Sequence, residues 1–175
     1  MSALALGLLI ISVIIEFAII CCESVARKTP TNYICLFIFT ACQAFVFAFI
    51  CSMYPLDIVL AAAGLTAAMT IALTIYACTT DTDYTVCGGL FWILGVALLG
   101  LIIISWFLTF VKWWHPFLSC LLIIFYGLFL IYDTQLIAGG GKWKLSYDDY
   151  VVGALLLYVD IMMLFLEILK LLGRR

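Results

Sequence analysis

Six runs of about twenty apolar residues, each broken by a short polar connector, constrain this chain more than any other feature. They lie at about Ala3–Cys22, Tyr33–Met53, Ile58–Cys78, Cys87–Phe110, Phe117–Ala138 and Tyr150–Leu172. At a helical rise of about 1.5 Å per residue, each run is long enough to cross the hydrocarbon of a bilayer. The connectors "ESVARKTPTN", "YPLD", "TTDTDYTV", "VKWWHP" and "GGGKWKLSYDD" are too short to hold a soluble domain. The expected fold is all-α: a polytopic transmembrane helix bundle of six spans, forming one domain over residues 1–175.

Composition agrees. Hydrophobic residues make up 68% of the chain and charged residues 10%, with mean hydropathy +1.31. So few charges cannot cover a domain in water, so the first partner is the lipid bilayer. The net charge of -2 supplies no basic stripe to neutralise phosphates, so no nucleic-acid partner is expected. The N-terminal run has no basic segment ahead of it and contains Glu16, which argues against a cleaved signal peptide. The chain is therefore expected to start inside a membrane helix. Eight cysteines show no Cys-x-x-Cys spacing. They read as small packing residues rather than a disulfide framework or zinc site. Cys21 and Cys22, where an apolar run meets charge, also suit acylation.

Local signals punctuate the runs. Pro30 with Thr31 and Asn32, and Pro116 after His115, look like helix starts, with His115 itself an interfacial loop residue. Gly139–Gly141 look like a glycine C-terminal cap. Ser146 stands as an N-cap, with Asp149 in the capping-box position three residues on. Asp81 and Asp83 suggest a helix start, not a calcium loop. Trp106, Trp113, Trp114 and Trp143 fall where an aromatic belt would lie. Gly64, Ala68 and Ala72 recur every four residues, a stripe that predicts a central position for the third span. Arg27, Lys28, Lys142 and Lys144 balance Lys112, Arg174 and Arg175 across the membrane, so charge sets no orientation.

Three carboxylates stand clearly inside the spans and away from the loops: Glu16, Asp133 and Asp160. Each ionised acid at mid-membrane costs about 2.5–3.5 kcal/mol even on the lenient insertion scale. Asp133 lies near the C-terminal end of its helix, where the macrodipole disfavours an anion, so capping does not explain it. Asp160 is about 15 Å into the last span. The two helices follow one another across a short connector, and both acids can point into one interior. In contact there, two carboxylates would share one proton and titrate as a pair. The plainer alternative is that each is hydrogen-bonded for structure alone. Glu167 shares a helix face with Asp160 and has Lys170 at i+3, the spacing of an ion pair. Arg27 either snorkels to headgroups or reaches back toward the acids.

At these residues a family becomes recognisable. "PTNYICLFIFTACQA", "AAAGLTAAMTIALTIYA" and "LIYDTQLIAGGGKWKLSYDDYVVGALLLYVDIMMLFLEILKLLG" together resemble the transmembrane Bax inhibitor motif family, in its Lifeguard (glutamate-receptor-associated) branch, from about Leu6 to Gly173. The resemblance implies a calcium leak of intracellular membranes that maintains calcium homeostasis and restrains apoptosis. It implies that Asp133 and Asp160 form a pH-sensitive gate touching calcium in transit, and that Arg27 latches those acids when closed. Glu16 matches an acid on the same helix of the family, and with Glu167 is a candidate for lining the pathway. No cofactor is implied. Calcium is the permeant ion, protons are the signal, and cell-death regulatory membrane proteins are candidate partners. The expected compartment is the endoplasmic reticulum, Golgi or endolysosome, with the plasma membrane as alternative.

The family has seven spans, and the one without a counterpart here is the first; a truncated chain and a late start both fit. Met163 stands where relatives often have Asn, and Glu167 where they often have an aromatic residue. Two rival readings remain. An intramembrane aspartyl protease would carry its second acid in Gly-x-Gly-Asp, whereas "YVD" stands here, so no enzyme is expected. A non-conducting interaction protein would act through its helices and loops.

Overall fold

The computed structural model describes residues 3–108, 110–139 and 144–174. Gly140, Gly141, Lys142, Trp143 and Arg175, invoked above for a cap, an aromatic belt and charge balance, lie outside the described residues. Among the described residues every regular element is helical: α1 (Ala3–Cys21), a single turn α2 (Glu23–Ala26), α3 (Thr31–Cys51), α4 (Leu56–Thr79), α5 (Gly88–Ser105), α6 (Trp114–Ala138) and α7 (Tyr150–Leu172). Six of them are long and apolar enough to cross a membrane. The reason is general: lipid offers no partner for a bare N–H or C=O, so each run closes its own hydrogen bonds as a helix. The protein is an all-α, multi-pass membrane protein.

Contacts divide the chain into two units, Met1–Leu56 with Leu145–Leu156, and Asp57–Lys144 with Leu157–Arg175. The helix α7 runs through both. In the first unit α1 packs against α3. Ile19 on α1 and Phe39 on α3 are wholly buried, and Gln43 Nε2 donates to the buried Ser12 Oγ at 3.2 Å. The start of α7 contributes the buried Val151 and Leu155.

In the second unit α6 carries the most buried positions, among them Leu130, Ile131, Asp133, Thr134 and Gln135. Leu164, Ile168 and Leu169 of α7 are buried as well. An aromatic cluster joins α5 to α6, with Phe91 centred 5.1 Å from both Phe129 and Tyr132. Gly139 ends α6 in the left-handed conformation (φ 72°), its N–H donating to Gln135 O at 3.0 Å.

Five local expectations need correction. Ser146 does sit at the N-cap of a 3-10 turn, Tyr147–Asp149, and its backbone N–H bonds the Asp149 carboxylate as a capping box would, but its own side chain makes no capping bond. The Gly64, Ala68 and Ala72 stripe is exposed, and α4 buries Ile58, Ala62, Thr66 and Ala77 instead. Small residues permit close approach without dictating it. Cys42 alone of the eight free cysteines is buried, so most do not pack a core. His115 belongs to the first turn of α6 rather than a loop, and α5 stops at Ser105, short of Phe110.

Candidate functional site

The helices α6 and α7 set two acids against each other within the second unit. Asp133 stands just over a turn before the end of α6 and is 4% exposed; Asp160 lies midway along α7 and is 6% exposed. Their carboxyl groups lie within hydrogen-bonding range of one another. Carboxyl can meet carboxyl only with a proton on one of them. Asp160 Oδ2 is buried without a hydrogen-bond partner among the described residues. A buried polar atom left so is costly, and such positions mark functional sites in membrane proteins.

The polar line continues along α7. Glu167, two turns beyond Asp160 and 6% exposed, accepts from Lys170 Nζ at 2.6 Å. The lysine side chain is 53% exposed, so its stem reaches outward while Glu167 stays inside, the i,i+3 pair that the spacing predicts. Tyr126 on α6 is an electrostatic neighbour of both Asp160 and Glu167. From Asp160 to Glu167 this line runs about 10 Å along the helix axis. Among the described residues no cluster of three or more potential ligands could hold a resident metal ion. Two carboxylates fall well short of the six to eight oxygens calcium takes.

In the first unit Arg27, at the close of the α2 turn, makes a forked ion pair. Its Nε donates to Asp149 Oδ1 at 2.7 Å and its Nη2 to Oδ2 at 3.1 Å. The Arg27 hydrogen bonds, then its charge, hold the Asp149 carboxyl below the usual range. Beside this pair Asn32, fully buried, donates from Nδ2 to Tyr150 Oη at 2.9 Å and accepts from Tyr33 N–H at 2.8 Å. These bonds tie the starts of α3 and α7 together. Glu16, half-buried, is one turn beyond Ser12 on α1 of the same unit.

Sequence reasoning missed several of these partners. Asp149 keeps the capping contact with Ser146 that its position predicts and adds Arg27 as a partner, while Asn32, at a helix start, adds Tyr150. Gln135 was read only as part of a motif, yet its side chain closes the α4–α5 connector. Its Oε1 accepts from Tyr84 N–H at 2.8 Å, and its Nε2 donates to Ala77 O at 3.2 Å and Thr82 O at 2.9 Å. The available signal was a second uncharged polar residue two positions after Asp133, still inside an apolar run. Asp83 behaves as expected, accepting from Thr85 N–H at 2.9 Å to start the turn Tyr84–Cys87.

Comparison with known proteins gives one consistent result. The family model described as "Inhibitor of apoptosis-promoting Bax1" matches residues 1–175. Human "Protein lifeguard 3" is 40% identical over 158 residues, covering 89% of this chain and 51% of that protein. The mouse protein of the same name is 39% identical over the same length. "Protein LIFEGUARD 1" of Arabidopsis thaliana is 39% identical over 152 residues, 82% of this chain and 60% of that protein. The chain thus spans about half to three-fifths of the length of the curated relatives it matches.

Proposed function

Because the chain belongs to the family of inhibitors of apoptosis-promoting Bax1, we propose that it restrains apoptosis as a pH-sensitive calcium leak of intracellular membranes, gated by Asp133 and Asp160. The observation that carries this reading is the buried contact of two carboxyl groups on separate helices, one with an unpartnered oxygen. Joined through one shared proton, the pair holds α6 to α7. When that proton leaves, two anions face each other in a low dielectric, and the contact becomes repulsive. The helices then part, water enters, and a divalent cation passes along carboxylates that now bear charge. Glu167 and Tyr126 continue the polar line, and Glu16 offers a further acid. Arg27, which the family resemblance casts as the latch on those acids, bonds Asp149 just ahead of α7. No cofactor or catalytic step belongs to this reading, and the endoplasmic reticulum, Golgi or endolysosome is its natural place.

A second reading draws on the family description, which names a cell-death protein rather than an ion. In it the chain is a non-conducting partner of cell-death regulatory membrane proteins. Calcium flux in proteoliposomes separates the two. The leak reading expects flux that changes with pH in the wild type, and a flattened pH dependence in Asp133→Asn and Asp160→Asn. Flux with unaltered pH dependence in both variants removes the gate; no flux from well-folded protein favours the interaction reading.

A further inference from the structure

The interior of the second unit holds a further oxygen that neither reading uses. Thr70, on α4, keeps its Oγ1 buried with no hydrogen-bond partner among the described residues. A threonine inside a helix can turn its hydroxyl back to the carbonyl four residues earlier. Thr66 does so to Ala62 O at 2.8 Å, Thr79 to Ile75 O at 2.8 Å and Thr134 to Leu130 O at 2.6 Å. Thr70 has the Thr66 carbonyl at the same spacing and leaves it. A buried hydroxyl without a partner is costly, so its presence calls for a reason.

Thr70 lies on the face that α4 turns to α6. It stands three residues before Leu73 and seven before Ala77, on one side of the helix. Leu73 Cδ1 comes within 3.3 Å of where a Gly127 β-carbon would stand, and Ala77 O accepts from Gln135 Nε2. Both contacts join later residues of α4 to later residues of α6, so the two helices run the same way. Thr70 is about 4.5 Å before Leu73 along the axis, and Tyr126 adjoins Gly127, which sets Thr70 within about one turn of Tyr126's level. Tyr126 is in turn the electrostatic neighbour of Asp160 and Glu167. Two buried oxygens without partners, Thr70 Oγ1 and Asp160 Oδ2, thus stand on two helices that flank one tyrosine.

We propose that Thr70 forms the α4 side of the leak path, its hydroxyl taking water or a hydrated cation between the levels of Asp160 and Glu167 once the acids part. The inference rests on the leak reading and adds a third helix to the path. The hydroxyl has no bond to give up, so entering water meets it without displacing a partner.

Thr70→Val keeps the shape of the side chain and drops the hydroxyl. It breaks no hydrogen bond, so its unfolding midpoint should equal or exceed that of the wild type. In proteoliposomes its calcium flux should fall several-fold at every pH, and Thr70→Ser should restore it. Thr66→Val, one turn away with a hydroxyl already bonded to Ala62 O, should conduct like the wild type. Thr70→Cys should be modified by a small cationic methanethiosulfonate, as mapped by mass spectrometry, and should lose its flux on modification, while the reagent leaves the wild type conducting. Undiminished flux in Thr70→Val, an equal loss in Thr66→Val, or an unmodified thiol in Thr70→Cys overturns the proposal. A wild type that passes no calcium defeats the leak reading instead, and modification of Thr70→Cys then decides by itself whether water reaches α4.

Discussion

Replacing Gln135 by methionine tests the tertiary structure where it is most specific. Methionine keeps the length and volume of the side chain, so no cavity opens and the change isolates three hydrogen bonds. These are the bonds to Tyr84 N–H, Ala77 O and Thr82 O, at 2.8, 3.2 and 2.9 Å. A protein hydrogen bond contributes about 0.5–1.5 kcal/mol net, and those measured within membranes average about 0.6 kcal/mol. Three together come to about 2–3 kcal/mol. Carbonyl oxygens near the connector recover part of this from water, but the Tyr84 N–H loses its acceptor outright.

The consequence is local before it is global. Without Gln135 the connector over residues 80–83 and the turn Tyr84–Cys87 lose their tie to α6. A loss of about 2 kcal/mol corresponds to about 30-fold faster exchange of the Tyr84 amide. Hydrogen exchange followed by mass spectrometry in nanodiscs reads this directly, with peptides of α1 and α3 as internal controls. Denaturant unfolding in micelles gives the global value. A Gln135→Met protein within about 0.5 kcal/mol of wild type, the range of an inert surface change, with Tyr84 protection intact, would refute the reasoning.

Other perturbations have equally definite outcomes. Arg27→Met removes a forked but partly solvated ion pair and costs about 0.2–1 kcal/mol at neutral pH, less in high salt. Because Asp149's folded value lies below its ordinary one, the pair's contribution is complete above about pH 4 and is lost as pH falls through the lowered value. Unfolding curves of wild type and Arg27→Met should therefore converge in acid and separate above it. Asn32→Leu leaves the Tyr33 N–H without its side-chain acceptor and takes from the Tyr150 hydroxyl one of its two side-chain partners, the Tyr33 hydroxyl being the other, and costs about 1–3 kcal/mol; a double-mutant cycle with Tyr150→Phe should show coupling. Gly139→Ala forces a β-carbon into the left-handed region and lowers stability by about 1–2 kcal/mol in the same unfolding assay.

The spans were legible because their signal is local: twenty apolar residues read as a crossing helix whatever they touch. The acids were legible for a related reason, since a carboxylate within such a run is costly enough to demand an explanation. What lay beyond reach was choice of partner. Arg27 and Asp149 stand 122 positions apart, and nothing near either residue signals that a snorkelling arginine and a capping aspartate also pair with each other. The α4 stripe misled for the converse reason. Gly64, Ala68 and Ala72 remove an obstacle to packing but contribute no attraction, and the buried face of α4 is set by Ile58, Ala62 and Thr66.

The end of α6 bears on which helix moves if the acids part. Asp133, Thr134 and Gln135 are consecutive and all buried, at 4%, 8% and 6% exposure. Successive side chains on a helix point about 100° apart, so protein covers α6 here over more than half its circumference. Each of the three has a different commitment: Asp133 to Asp160, Thr134 Oγ1 to Leu130 O at 2.6 Å, and Gln135 to the α4–α5 connector. The last of these anchors α6 independently of α7. If the shared proton leaves and the carboxyl groups separate, α6 stays with the connector and α7 takes up the displacement. Spin labels on the connector and on α6 should then keep their separation across a pH titration, while an α6–α7 pair does not. A connector that moves away from α6 over that range would show that the Gln135 tie yields first, and would assign the motion to α6.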